Sequence, residues 1–170
     1  MPKRNIKKID YSSLSPQERY DRALEEAARQ LGYRPLSARA LRDKLVEKGH
    51  GENEADYAVA WMTERGYLSD ERLAESAARS YTRRGYGALR IRQELRKKGV
   101  DDETASAVLD ECEPDFEVMR ALLDNRLRGD LSDRKEVGKA VAALQRRGYK
   151  WEDIRRALNE YGADIAADFD

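Results

Sequence analysis

The chain holds a single cysteine, Cys112, and a single histidine, His50, among its 170 residues. An internal disulfide is excluded, and so is a zinc site of Cys and His ligands, which needs several such side chains together. Thiol or acyl-transfer catalysis needs a nucleophile beside a base. Here the histidine falls in a loop and the cysteine on the apolar face of a helical stretch, where a core role is the reading. Net charge is absent as well: Lys plus Arg and Asp plus Glu each number 33. Attraction of the whole molecule to nucleic acid or to an anionic membrane therefore has no basis in net charge, and any electrostatic function must come from local segregation. No apolar run approaches bilayer length, and Met1–Asp10 is basic and polar without the apolar centre of a secretion signal. A cytoplasmic monomer without membrane association or cofactor is expected. Aromatics are scarce at 8% against 39% charged residues, a balance that fits amphipathic surface helices rather than one deep core with a large pocket.

What is present is helix punctuation. Ser15-Pro16-Gln17-Glu18 combines a hydroxyl N-cap, proline at the first helical position and glutamate at the third, which is a capping box. Order is expected to begin there, after a flexible basic segment (1–14) carrying Lys3, Arg4, Lys7 and Lys8. Glycines then fall at 32, 49, 66, 85, 99, 129, 148 and 162, each after an amphipathic stretch, and read as helix stops. Tyr33, Tyr67, Tyr86 and Tyr149 follow four of them, with His50 and Val100 after two more. Such a residue packs back onto the last helical turn in a Schellman ending.

The stops Glu47-Lys48-Gly49, Lys97-Lys98-Gly99 and Arg146-Arg147-Gly148 recur at intervals of 50 and 49 residues, an internal repeat. Behind each, apolar positions keep one helical register: Ala55, Ala58, Val59, Met62; Ala105, Val108, Leu109, Cys112; Ile154, Ala157, Leu158, Tyr161. The expectation is an all-α chain of three tandem three-helix modules, at 15–68, 69–113 and 114–163, followed by an acidic tail at 164–170. The helices are placed at 16–31, 38–48 and 53–65, at 70–84, 88–98 and 102–113, and at 115–128, 133–147 and 151–162. Ser37 caps the second helix, with Leu36 stapled onto Leu41. Units of about fifty residues bury little surface alone, so an elongated, curved, solenoid-like molecule follows.

Carboxylates are plentiful but scattered; Asp101, Asp102 and Glu103 open a helix, where they complement its dipole. Gly85-Tyr86-Gly87 joins two helices and lacks the Lys-Ser/Thr of a phosphate loop. No enzyme is expected. Charge segregation is confined to Arg79–Lys98, where Arg79, Arg83, Arg84, Arg90, Arg92, Arg96, Lys97 and Lys98 face only Glu94. A solvated helix face with C-terminal cations suited to the dipole would explain Arg96, Lys97 and Lys98. It does not explain Arg83, Arg84, Arg90 and Arg92, which crowd a helix start. An anionic surface does, either phosphate backbone or acidic protein. Tyr86 stands as a helix-end anchor or as a contact residue. Trp61 and Tyr57, four apart, read as packing, and Trp151 as the cover of the third module's core.

The stretch Arg83-Arg84-Gly85-Tyr86-Gly87-Ala88-Leu89-Arg90-Ile91-Arg92-Gln93-Glu94-Leu95-Arg96-Lys97-Lys98-Gly99-Val100 resembles the central motif of RecX proteins. Gly66-Tyr67-Leu68-Ser69-Asp70-Glu71-Arg72-Leu73-Ala74 is similar to a second recurrent stretch of that family, and Arg147-Gly148-Tyr149 with Ile154-Arg155-Arg156-Ala157-Leu158 to its C-terminal module. Ala88 stands where the family often has proline. The resemblance implies a regulator that binds the RecA recombinase filament and suppresses its ATP hydrolysis, strand exchange and co-protease activity, modulating DNA repair, recombination and the SOS response. The implied contact residues are Arg83, Arg84, Tyr86, Arg90, Arg92, Arg96, Lys97 and Lys98, with single- or double-stranded DNA as a further partner of the same basic module. The residues alone leave open a stand-alone nucleic-acid-binding protein using Arg79–Lys98, and a scaffold for another acidic partner.

Overall fold

The structure is a computed structural model and describes residues 13–162. The expected basic segment lies outside these residues apart from Ser13 and Leu14, and the acidic tail lies wholly outside them. Among the described residues the backbone forms nine helices and no strand: α1 (Pro16–Tyr33), α2 (Ala38–Glu47), α3 (Glu52–Glu64), α4 (Asp70–Arg83), α5 (Ala88–Lys97), α6 (Asp102–Asp110), α7 (Phe116–Leu127), α8 (Arg134–Arg146) and α9 (Trp151–Tyr161).

Side-chain oxygens start most of them. Ser15 accepts from the Glu18 amide while the Glu18 carboxylate accepts from the Ser15 amide at 2.8 Å, closing the capping box. The side chains of Ser37, Asp101, Asp115 and Asp133 accept from first-turn amides of α2, α6, α7 and α8, without the reciprocal bond. Each cap meets amides that have no partner within the helix. At the other ends, paired bonds close Schellman turns. Gly49, Gly66, Gly85 and Gly148 each donate to the third residue back at 2.9 Å, and His50, Tyr67, Tyr86 and Tyr149 each to the fifth at 2.9–3.3 Å.

Three details differ from the sequence reading. Gly32 does not end α1, which continues to Tyr33 and stops at the extended Arg34. Pro35 sets that stop, because the residue before a proline is disfavoured in the helical region. The helix α6 ends at Asp110, three residues early; Pro114 disfavours helix only at Glu113, and nothing in the structure explains the earlier end. Nor do all followers of the glycines pack back: His50, Val100 and Tyr149 are buried, whereas Tyr33 and Tyr67 are exposed and Leu68 takes the buried place after Tyr67.

The chain divides into two compact units. The first runs to Leu73 and includes Lys98–Val100. Its core joins Ala23 and Ala27 of α1, Leu41 and Leu45 of α2, and Ala55, Ala58 and Met62 of α3, closed by Leu36 and Leu68. Leu41 and Leu45 are fully enclosed, so truncating either to alanine costs about 2–5 kcal/mol. Trp61 is half-buried against this core, stacks on Tyr67 with centroids 6.1 Å apart and carries Arg65 on its face. Tyr57 is half-exposed and meets Tyr20 edge-on.

The second unit holds Ala74–Lys97 and the chain from Asp101 onward. Met119 and Leu123 of α7, Val137, Val141 and Leu144 of α8, and Ile154 and Leu158 of α9 form its largest core, with Trp151 packed at the edge. Ala74, Ala78, Ile91, Leu95, Ala105, Val108 and Leu109 are the buried faces of α4, α5 and α6.

One contact recurs with the period of the sequence. In the first unit the Ser37 hydroxyl donates to the Lys98 carbonyl at 2.7 Å. In the second, the Gly87 amide donates to the Arg147 carbonyl at 2.9 Å and the Leu89 amide to the Gly148 carbonyl at 3.0 Å. In each case the start of a repeat's middle helix meets the stop that closes the next repeat's middle helix. The backbones approach so closely that a Cβ on Gly87 would lie 2.3 Å from the Tyr149 nitrogen, and one on Gly148 2.3 Å from the Arg90 nitrogen.

Candidate partner-binding site

The cationic stretch occupies the end of α4, the turn that follows and all of α5. Ile91 and Leu95 bury one face of α5 and thereby fix where its cations point. Arg92 and Arg96, four apart, share a flank, while Arg90 and Lys97 converge on Glu94 between them. The Arg90 guanidinium lies 3.1 Å from the Glu94 carboxylate and the Lys97 ammonium 2.9 Å. One carboxylate therefore serves two cations and leaves a net positive charge. Arg96 reaches across the stop to Asp102, its Nη2 2.9 Å from both carboxylate oxygens, a forked pair. Arg79 pairs with Glu75 at 3.6 Å. Arg83, Arg84, Arg92 and Lys98 have no carboxylate within ion-pair distance among the described residues. Lys98 belongs to the first unit; the other seven cations lie in the second.

Tyr86 is half-buried and meets Tyr81 edge-on, with ring centroids 5.9 Å apart. The Arg84 guanidinium sits 5.6 Å from the Tyr81 ring centre and 6.0 Å from that of Tyr86. Tyr86 also forms part of the wall of a 240 Å³ cleft with Cys112, Phe116, Lys150, Asp153 and Arg156. Burial pushes the Cys112 thiol up from its ordinary value, so the thiolate is disfavoured there. Among the described residues no three His, Cys, Asp or Glu side chains gather as metal ligands, and no helix is long and apolar enough to cross a membrane.

Sequence reasoning missed Arg147. Its Nη1 donates to the carbonyls of Gly85 at 3.2 Å and Arg84 at 3.4 Å, and so braces the basic turn from α8. The signal was present in the repeat: Arg147 stands 49 residues after Lys98. Only the backbone half of the contact recurs between these two positions, and no periodicity reports the side chain.

Family models for the first, second and third three-helix domains of RecX match residues 23–62, 69–109 and 113–158 in turn. The chain belongs to the RecX family. Regulatory protein RecX of Cronobacter sakazakii is 37% identical over 154 residues, spanning 84% of this chain and 93% of the relative. That of Vibrio vulnificus is 37% identical over 122 residues, 71% of this chain and 80% of the relative. That of Halorhodospira halophila is 36% identical over 135 residues, 78% and 84% respectively. The crystal structure of RecX from Lactobacillus salivarius superposes with a TM-score of 0.79 over 86% of this chain and 98% of its own, at 23% identity, a likeness of fold. The all-α architecture of three-helix domains is thus common to the family, and the role that membership gives is that of a RecX-type regulatory protein.

Proposed function

We propose that this RecX-family chain binds the RecA recombinase filament and inhibits its ATP hydrolysis, strand exchange and co-protease activity, acting in the cytoplasm as a non-catalytic monomer. The observation that carries this reading is the set of cations in the second domain with no carboxylate within ion-pair distance among the described residues: Arg83, Arg84 and Arg92, with the shared pair Arg90 and Lys97 beside them. Crowding these guanidinium groups around the α4–α5 turn is repulsive, and the repulsion is only partly offset by the place of Arg83 in the last turn of α4 and by the contact of Arg84 with the Tyr81 and Tyr86 rings. An acidic protein surface, or phosphate held beside it, offsets that cost on binding. The test is DNA-dependent ATP hydrolysis by the cognate RecA on single-stranded DNA. Added chain is expected to slow it progressively, and an unchanged rate at several-fold excess of the chain overturns the reading.

A second reading rests on a separate observation, the Tyr81 and Tyr86 rings with Arg84 beside them, an arrangement that suits stacking of exposed bases. It makes the chain a stand-alone nucleic-acid-binding protein. Binding to DNA without recombinase should then weaken by about 0.9 log units per phosphate contact for each log unit of salt on duplex DNA. A flat salt response removes this reading.

A further inference from the structure

Arg147 is brought against a turn that already carries Arg83 and Arg84, and no carboxylate accompanies it among the described residues. Crowding three guanidinium groups without a counter-charge is unfavourable, and a neutral side chain would fill the same space without that cost. What Arg147 does there is specific. The Schellman bonds of Gly85 and Tyr86 use the amides of the turn, and among the described residues no turn or loop amide donates to the carbonyls of Arg84 and Gly85. The Arg147 guanidinium meets both carbonyls. Gly85 leaves room for it, since a Cβ at that position would come within 3.1 Å of the Arg147 Nη1 and of Val118. The Arg147 carbonyl meanwhile receives the Gly87 amide, so one residue grips the turn on both sides of Tyr86.

From this geometry we infer that Arg147 is a positioning residue for the binding surface: it fixes the Arg83–Gly87 turn in the pose from which Arg83, Arg84 and Tyr86 meet the partner, and does not itself touch the partner. The inference rests on the reading given under Proposed function. It assigns the third domain a task in the contact made by the second. Neutralising the turn is not the task, because the brace adds positive charge.

The test uses the full chain with Arg147→Gln and, as the conservative variant, Arg147→Lys, whose ammonium can still donate to a carbonyl. In amide hydrogen exchange, Arg147→Gln is expected to speed Gly85 and Tyr86 by about tenfold and to leave Leu123, Leu144 and Leu158 unchanged. Association with RecA filaments on single-stranded DNA is expected to weaken by about tenfold, with partial recovery in Arg147→Lys. In a chain already carrying Arg83→Ala and Arg84→Ala, Arg147→Gln is expected to add less than about a twofold further loss. A full additional loss in that background means that Arg147 touches the partner directly and overturns the inference. Unchanged exchange at the turn, or acceleration spread equally through the core, overturns it too. If the unmodified chain does not bind the filament, the reading of the partner fails and the positioning role fails with it. If it binds and the cycle is additive, the positioning role alone is lost.

Discussion

Tyr149 is closed off from solvent at 2% exposure, and its hydroxyl finds no hydrogen-bond partner among the described residues. Burial pushes this phenol up to about 12 from its ordinary 10.0, because a phenolate could not be solvated there. Leaving a hydroxyl unpaired in a core costs about 1–3 kcal/mol, so Tyr149→Phe is expected to stabilise the chain by about 1 kcal/mol, read as a higher Tm at neutral pH. The sign of the pH effect follows from the raised value. In the unfolded chain the phenol ionises near its ordinary value, in the folded chain only near 12, so the stability of the chain carrying Tyr149 is unaffected by this group below pH 10 and falls as pH rises toward 12. The Tm advantage of Tyr149→Phe should widen on going from about pH 8 to about pH 11. A lower Tm in the variant would mean that the hydroxyl has a partner. That Tyr149 would pack onto the last turn of α8 was legible from its place after Gly148. Whether its oxygen would be met was not, since that depends on neighbours from other helices.

Among the elements, the glycines show how far such a sequence can be read. Gly32 and Gly148 look alike in the chain, each after a helical stretch and before a tyrosine, yet they should respond to alanine with opposite sign. Gly32 lies within α1, and nothing stands within 4 Å of where a Cβ would be. Glycine inside a helix costs about 0.5–1 kcal/mol relative to alanine, so Gly32→Ala should raise stability by about that amount. Gly148 has φ of 85°, and its Cβ would fall 2.3 Å from the Arg90 nitrogen. Gly148→Ala should therefore cost about 2 kcal/mol or more, as strain in the left-handed region adds to a clash with backbone. Urea denaturation of the two variants measures both, and a shift of the same sign in each would contradict the assignment. The sequence showed helix number, the capping box at Ser15 and the repeat, because these are written in local chemistry. The end of α1 was misplaced because two stop signals, Gly32 and Pro35, compete within four residues, and the proline acts through the residue before it.

For the molecule as a whole, equal numbers of acidic and basic residues make the distribution of charge the quantity that matters. Which side chains form the cationic stretch was legible; how many of its charges stay available was not, because Asp102 lies beyond the stop at Gly99 and reaches Arg96 only through the fold. That difference supports a prediction that separates binding from stability. Among the described residues Arg92 has no carboxylate within ion-pair distance, whereas Arg96 is forked onto Asp102 with both side chains largely exposed. Reversing Arg92 to Glu should leave Tm unchanged and weaken inhibition of RecA ATP hydrolysis by about tenfold, since a free cation becomes a repelling anion at an acidic surface. Reversing Arg96 to Glu places two carboxylates together, so part of its effect should appear as a lower Tm, and restoring opposite charges with Asp102→Lys should recover only part of that Tm, because a cation then sits in the first turn of α6, and none of the inhibition. The triple variant Arg90→Glu, Arg92→Glu, Arg96→Glu should lose inhibition altogether. Inhibition that survives the triple variant would move the contact away from α5.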